Sequence, residues 1–135
     1  MNNTNQLALG LGCDRGTPAA TIEAAITEAL RTIHARLTDV QAVASIDLKA
    51  DEPGLLEVAA AHGWTIHFYP ATELAPVPVP NPSETVRKYT GTPSVSEAAA
   101  LLAANADLTQ LLVEKHKLRG PDGRNATVSI ARIPQ

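Results

Sequence analysis

The sequence predicts an α/β domain of three layers, with helices on both faces of a mixed, mainly parallel sheet that ends in a C-terminal antiparallel hairpin. Three observations lead there. Through the first half of the chain, short apolar segments alternate with helix-periodic ones, and a strand–helix–strand–helix–strand order calls for right-handed crossovers and parallel pairing. The last quarter instead carries two β-rich segments around Gly120-Pro121-Asp122-Gly123, the pattern of a hairpin. Finally, 135 residues with 44% hydrophobic content suit one domain, residues 1–135, burying about two-thirds of its unfolded surface.

Taken in order, Gln6 to Gly12 (QLALGLG) reads as a short buried strand closed by glycines. Thr17-Pro18 supplies an N-cap and a proline at the first helical position. Ile22, Ile26, Leu30, Ile33 and Leu37 then recur at helical spacing, with Ala25 and Ala29 filling the stripe, which predicts a helix from Pro18 to Leu37. Val40 to Leu48 is the second strand. A turn-rich stretch, Lys49 to Gly54, leads into a helix that closes near His62, with Gly63 placed for a left-handed cap. Trp64 to Tyr69 is rich in β-formers and reads as the third strand. Pro76, Pro78, Pro80 and Pro82 alternate through PVPVPNP, an extended run that cannot donate a sheet ladder. Asn81 with Glu84, and Ser94 with Glu97, have capping-box spacing and predict a short helix ending before Gly91 and a longer one, Val95 to Asn105. Leu111 to Lys117 and Thr127 to Ile133 form the hairpin.

Composition excludes several function classes. Aromatic residues make up 3% of the chain, so the core rests on Ala, Leu, Val and Ile, and stacking platforms for bases are lacking. A net charge of -3, from 11 basic and 14 acidic residues, speaks against a general polyanion binder, and no nucleic-acid partner is expected. Cys13 is the single cysteine, and no histidine pairs with another ligand at metal spacing, so neither a metal nor a cofactor is expected. Met1 to Gln6 carries no basic n-region, and no run approaches the ~20 apolar residues that span a bilayer. A cytoplasmic chain with no membrane partner is the expectation.

Three polar constellations remain. The first, Gly10-Leu11-Gly12-Cys13-Asp14-Arg15-Gly16-Thr17, joins a strand to a helix. It has three residues between Gly12 and Gly16 where a dinucleotide fingerprint has two, and no P-loop lysine. A glycine-permissive turn at a helix N-terminus still suits an anion, with Gly12, Cys13, Gly16 and Thr17 lining it and Arg15 offering a bidentate contact. The second, Ser45-Ile46-Asp47-Leu48-Lys49-Ala50-Asp51-Glu52, crowds the end of a central strand. Ligands of open parallel sheets bind at strand carboxyl ends, so it faces the same crevice. Lys49 is its cation for an acidic ligand, and Asp47 or Glu52 is a candidate general base if burial raises its pKa. For Asp51 and Glu52 a place in a first helical turn is an equally open reading. The third is Glu114-Lys115-His116-Lys117-Leu118-Arg119, where alternation puts Lys115 and Lys117 on one face, either as a ledge for an acidic ligand or as the solvated lysines of an edge strand.

GLGCDRGTP (Gly10 to Pro18), SIDLKADEPGL (Ser45 to Leu55), VPVPNPSETV (Val77 to Val86), GTPSVSEAAAL (Gly91 to Leu101) and ATVSIAR (Ala126 to Arg132), in that order, resemble the CobE proteins and the C-terminal domain of CbiG. The resemblance implies cobalamin biosynthesis. CbiG proteins open a lactone on a ring-contracted cobalt-precorrin, using further N-terminal regions, whereas a chain of this size is more similar to CobE of the aerobic pathway. The implied partner is a precorrin or corrinoid, an apolar macrocycle edged with carboxylates. Arg15, Lys49, Lys115 and Lys117 would suit it as fixed cations. Binding or carriage of such a tetrapyrrole is the leading expectation. Catalysis on its ring through Asp47 or Glu52 is the alternative, and docking of other cobalamin-pathway enzymes on the PVPVPNP surface is a third.

Overall fold

The structure is a computed structural model that describes residues 6–134. Its central strand, β1 (Leu7–Cys13), sets the layers. Successive side chains of a strand point to opposite faces. Leu7, Leu9 and Leu11 point one way and are fully buried against α1 (Ala19–Thr32) and α2 (Pro53–His62). Ala8 points the other way, toward α5 (Val95–Ala104). Helix α5 lies so close to the sheet that a Cβ on Gly10 would stand 1.8 Å from the Ser96 carbonyl oxygen and 2.6 Å from the Ala100 amide nitrogen. Only glycine fits there. The alanines of α5 (Ala98, Ala99, Ala100, Ala104) extend that close approach along the helix.

The sheet order is β3-β2-β1-β5-β4, with β2 Val40–Ile46, β3 Ile66–Tyr69, β4 Leu111–Arg119 and β5 Asn125–Arg132. Pairings β1–β2 and β2–β3 are parallel; β1–β5 and β5–β4 are antiparallel. The three layers and the C-terminal hairpin stand as the sequence predicts, while the mainly parallel sheet is corrected to one evenly divided between the two kinds of pairing. The hairpin enters through its second strand, so β5 alone runs against the others. One consequence matters for function. The carboxyl ends of β1, β2, β3 and β4 gather at one edge of the sheet, beside the start of β5.

Local chemistry overrides several predicted boundaries. Helix α1 stops at Thr32 rather than Leu37, because His34 turns left-handed (φ 55°) and the Ala35 N–H reaches back to the Leu30 carbonyl, a Schellman closure. Thr17 does not cap this helix; its hydroxyl donates to the carbonyls of Asp14 and Asn125. Neither expected capping box forms. Ser83, not Asn81, caps the short α4 (Glu84–Thr90), and Glu97 gives its carboxylate to Asn81, leaving α5 with no side-chain cap. Gly63 takes the left-handed cap of α2 as expected. A single-turn helix, α3 (Ala71–Leu74), precedes the proline run, which forms neither helix nor strand. Among the described residues no helix is long and apolar enough to cross a membrane.

Candidate functional site

The β1–α1 loop and the β2–α2 loop meet at the carboxyl edge of the sheet, as parallel neighbours must. Their contact is an ion-pair clamp. The Arg15 guanidinium donates to Asp51 Oδ1 at 2.8 Å, to Glu52 Oε2 at 2.9 Å and to the Leu48 carbonyl at 2.6 Å. Gly16 adopts φ 78°, a conformation glycine takes without strain, and this turns its N–H onto Glu52 Oε1 at 2.6 Å. Glu52 is 1% exposed, so its charge is buried, yet each oxygen has a strong donor. An ionised carboxylate in such a place needs those bonds. The loop therefore does form an anion niche, and the chain's own Glu52 fills it.

Arg15 is 60% exposed at its side chain and keeps a face toward solvent. Its own carbonyl accepts from Arg124 Nε at 2.9 Å, and Asp14 Oδ2 accepts the Asn125 N–H at 2.7 Å, so the start of β5 braces the same loop. Arg124 thus joins the rim, a residue with no local signal in the chain, because only the strand order carries it there. Lys49 is half-buried at the end of a 3₁₀ turn, Asp47–Lys49, and lies close enough to Cys13 to act on its thiol. Burial pushes the Cys13 thiol up to about 11, outweighing the downward pull of Lys49. A thiol of that kind is protonated at neutral pH and is no nucleophile. Asp51 is held below the usual carboxylate range by its bond to Arg15. Asp47 is exposed beside Lys49.

Lys117 lies across the same edge: Gly12 is opposite Thr127, and Thr127 is opposite Lys117. The β4–β5 register shifts between Val113 and His116, and this bulge brings two consecutive side chains, Glu114 and Lys115, onto one residue. Asn81 Nδ2 donates to Glu114 Oε1 at 2.9 Å and to Glu97 Oε2 at 2.7 Å, while Lys115 Nζ donates to the Asn81 carbonyl at 2.8 Å. Lys115 therefore pins the proline run to the sheet, whereas Lys117 is exposed with its charge toward solvent. His116 points to the other face and pairs with Glu28 of α1 at 2.8 Å.

The rim thus collects Gly12, Cys13, Arg15, Gly16, Thr17, Asp47 and Lys49 on adjacent strand ends, with Lys115 and Lys117 two strands away on the same side of the hairpin. Two shallow hollows lie elsewhere, one at the C-terminal end of α1 around Arg31, His34 and Arg36, the other between Pro76–Pro78 and the C-terminal end of α5. Neither holds any of the rim residues. Among the described residues no three His, Cys, Asp or Glu side chains come together to hold a metal.

This fold and rim define a small α/β protein of the open-sheet kind whose polar groups converge at the strand carboxyl ends. Residues 7–131 match the family model for the cobalamin synthesis G C-terminus, and the chain belongs to that family, one of cobalamin biosynthesis. A cobalt-precorrin-5A hydrolase of Priestia megaterium is 44% identical over 128 residues, 95% of this chain but 32% of that protein, so the chain spans about a third of that relative. Protein CobE of a Sinorhizobium species is 38% identical over 123 residues, covering 85% of this chain and 80% of the relative. The crystal structure of CobE, a protein from the cobalamin (vitamin B12) biosynthetic pathway, superposes with a TM-score of 0.81 at 34% identity over 96% of this chain and 92% of that one.

Proposed function

We propose that this domain binds and carries a precorrin, a polycarboxylate tetrapyrrole of cobalamin biosynthesis, in the cytoplasm. The observation that carries the reading is the gathering of Arg15 and Lys49 on neighbouring strand ends, with Lys117 across the same edge. Such a guest is an apolar macrocycle fringed with acetate and propionate groups. Cations fixed at separate points of one rim suit several carboxylates at once. Glu52 has a supporting part in this reading. It locks Arg15 and the Gly16 turn in place and leaves the outer face of the guanidinium to the guest. Anaerobic incubation with each purified precorrin, followed by gel filtration, is the test: one coloured intermediate should elute with the protein, and elution of every intermediate as free pigment would sink the proposal.

A second reading, catalysis on the precorrin ring, draws on the 44% identity to the hydrolase and on Asp47, which is exposed at the rim. Asp47 would act as general base on water, since both Glu52 oxygens are taken by Gly16 and Arg15. Anaerobic turnover by this chain that disappears in Asp47→Asn would favour it; absence of turnover in the unmodified chain would remove it.

A further inference from the structure

We infer that the first turn of α5, with the hydroxyls of Thr92 and Ser94, is a second carboxylate subsite for the same guest, closed over by α4. The inference rests on the tetrapyrrole-binding reading and adds a place on the opposite side of β1 from the Arg15 clamp. Two independent observations meet there. The first is the helix end itself. Helix α5 has ten residues and no side-chain cap, so its first-turn N–H groups keep their positive end free of a capping oxygen. The second is a pair of unsatisfied hydroxyls. Thr92 Oγ1 and Ser94 Oγ are wholly buried and have no hydrogen-bond partner. Ser94 stands at the N-cap position, where a side-chain oxygen ordinarily accepts from the helix, and it does not do so. Unpaired buried hydroxyls cost stability, and two within three residues, at one helix end, call for a partner that arrives from outside.

A carboxylate supplies what is missing, since it accepts from both hydroxyls and from the helix amides together. The site is well placed for it. Ser96 rests on Gly10, so the helix end overhangs β1 toward Gly12, and a Cβ on Gly12 would meet nothing nearer than Thr127 Cβ at 3.9 Å. Glu97, in the same turn, opposes a second anion; Asn81 bonds both its oxygens and Glu114 as well, and the Lys115 ammonium on the Asn81 carbonyl offsets one of those two charges. The cover is light. None of the seven residues of α4 is buried, and the helix is latched to the turn by Ser83 N–H on the Pro93 carbonyl and by the Thr90 hydroxyl on the Thr92 carbonyl. A short helix that buries so little opens at small cost.

The test uses uroporphyrin, an octacarboxylate tetrapyrrole, as probe, with binding to the full chain read by fluorescence and amide exchange read residue by residue. The wild type should bind the probe, and the Val95 and Ser96 amides should gain at least tenfold protection when it does. Thr92→Val with Ser94→Ala should weaken binding about tenfold and abolish that protection, with a melting temperature no lower than wild type. Thr92→Ser with Ser94→Thr, which keeps both hydroxyls, should bind like wild type. Probe binding by the wild type with no added protection at Val95 and Ser96, or equal affinity in the Thr92→Val/Ser94→Ala variant, overturns the subsite and leaves the tetrapyrrole reading intact. No binding by the wild type takes both down.

Discussion

The two loop regions at the carboxyl edge of this sheet are built on opposite principles. Around Arg15 and Glu52 every buried charge has a partner: the carboxylate takes one donor on each oxygen, and the guanidinium spans two loops. Around Thr92 and Ser94, on the other side of β1, two buried hydroxyls have none. The first region stabilises the fold and leaves one face of the Arg15 guanidinium toward solvent. The second holds hydrogen-bonding capacity in reserve beside a short helix with no fully buried residue. A polar cluster read as a binding loop can thus be mainly architecture, while an unremarked turn keeps the spare donors. The pair of regions teaches that one sheet edge can hold a polar cluster satisfied within the chain and another that is not, and the two respond differently to substitution.

The largest expected effect separates the layers on which both regions depend. Gly10→Val would drive a side chain into the Ser96 carbonyl, and cooperative thermal unfolding should be lost or weakened by at least about 3 kcal/mol. Next comes the clamp. Glu52→Gln removes a buried charge shared by Gly16 and Arg15 and should destabilise by about 2–3 kcal/mol in denaturant melts. Buried serines then give the sharpest contrast. Ser45 donates to the Leu11 carbonyl at 2.6 Å, so Ser45→Ala should cost about 1 kcal/mol, whereas Ser94→Ala, which removes an unpaired hydroxyl, should cost nothing measurable or stabilise. Equal losses in the two variants would erase the distinction between the regions.

The smallest effect is electrostatic. Arg15 holds the Asp51 carboxyl below its ordinary 3.8, so the folded-state value is depressed relative to the unfolded one. Its stabilising share is therefore present above about pH 4 and is lost as the pH falls below that; both partners are exposed, so the share is small. A carboxyl NMR titration should place Asp51 below 3.8 in the wild type and near it in Arg15→Met. Cys13 shifts the other way. Its thiol, raised by burial from 9.0 to about 11, favours the folded state below pH 9 and ceases to do so as the pH rises toward 11. Alkylation at pH 8 should be slower than in the unfolded chain.

How much of this was legible in the sequence depends on the range of the interaction. Periodicity placed the strands and long helices, because Leu7, Leu9 and Leu11, or Ile22, Ile26 and Leu30, carry their burial pattern locally. The strand-end rule places Arg15 and Lys49 at neighbouring strand ends, and both stand near Cys13 there. What failed were local rules that a distant partner overrode. Asn81 has capping spacing to Glu84, and Glu97 to Ser94, yet Asn81 and Glu97 bond to each other across sixteen positions. The fourth and fifth strands looked like an appendage to a parallel sheet, but the pairing of β5 with β1 turns half of the pairings antiparallel and carries Arg124 and Lys117 to the rim. Spare hydroxyls at Thr92 and Ser94 have no sequence signature, since an absent partner is a property of the packed structure alone.

Salt dependence of tetrapyrrole binding tests the central claim most directly, because cations on a solvent-facing rim are screened by ions while buried apolar contacts are not. Uroporphyrin affinity should fall steeply between low and high ionic strength, and Lys49→Ala with Lys117→Ala should both weaken binding and flatten that slope. Binding that ignores salt, or a slope unchanged in the double variant, would contradict the account.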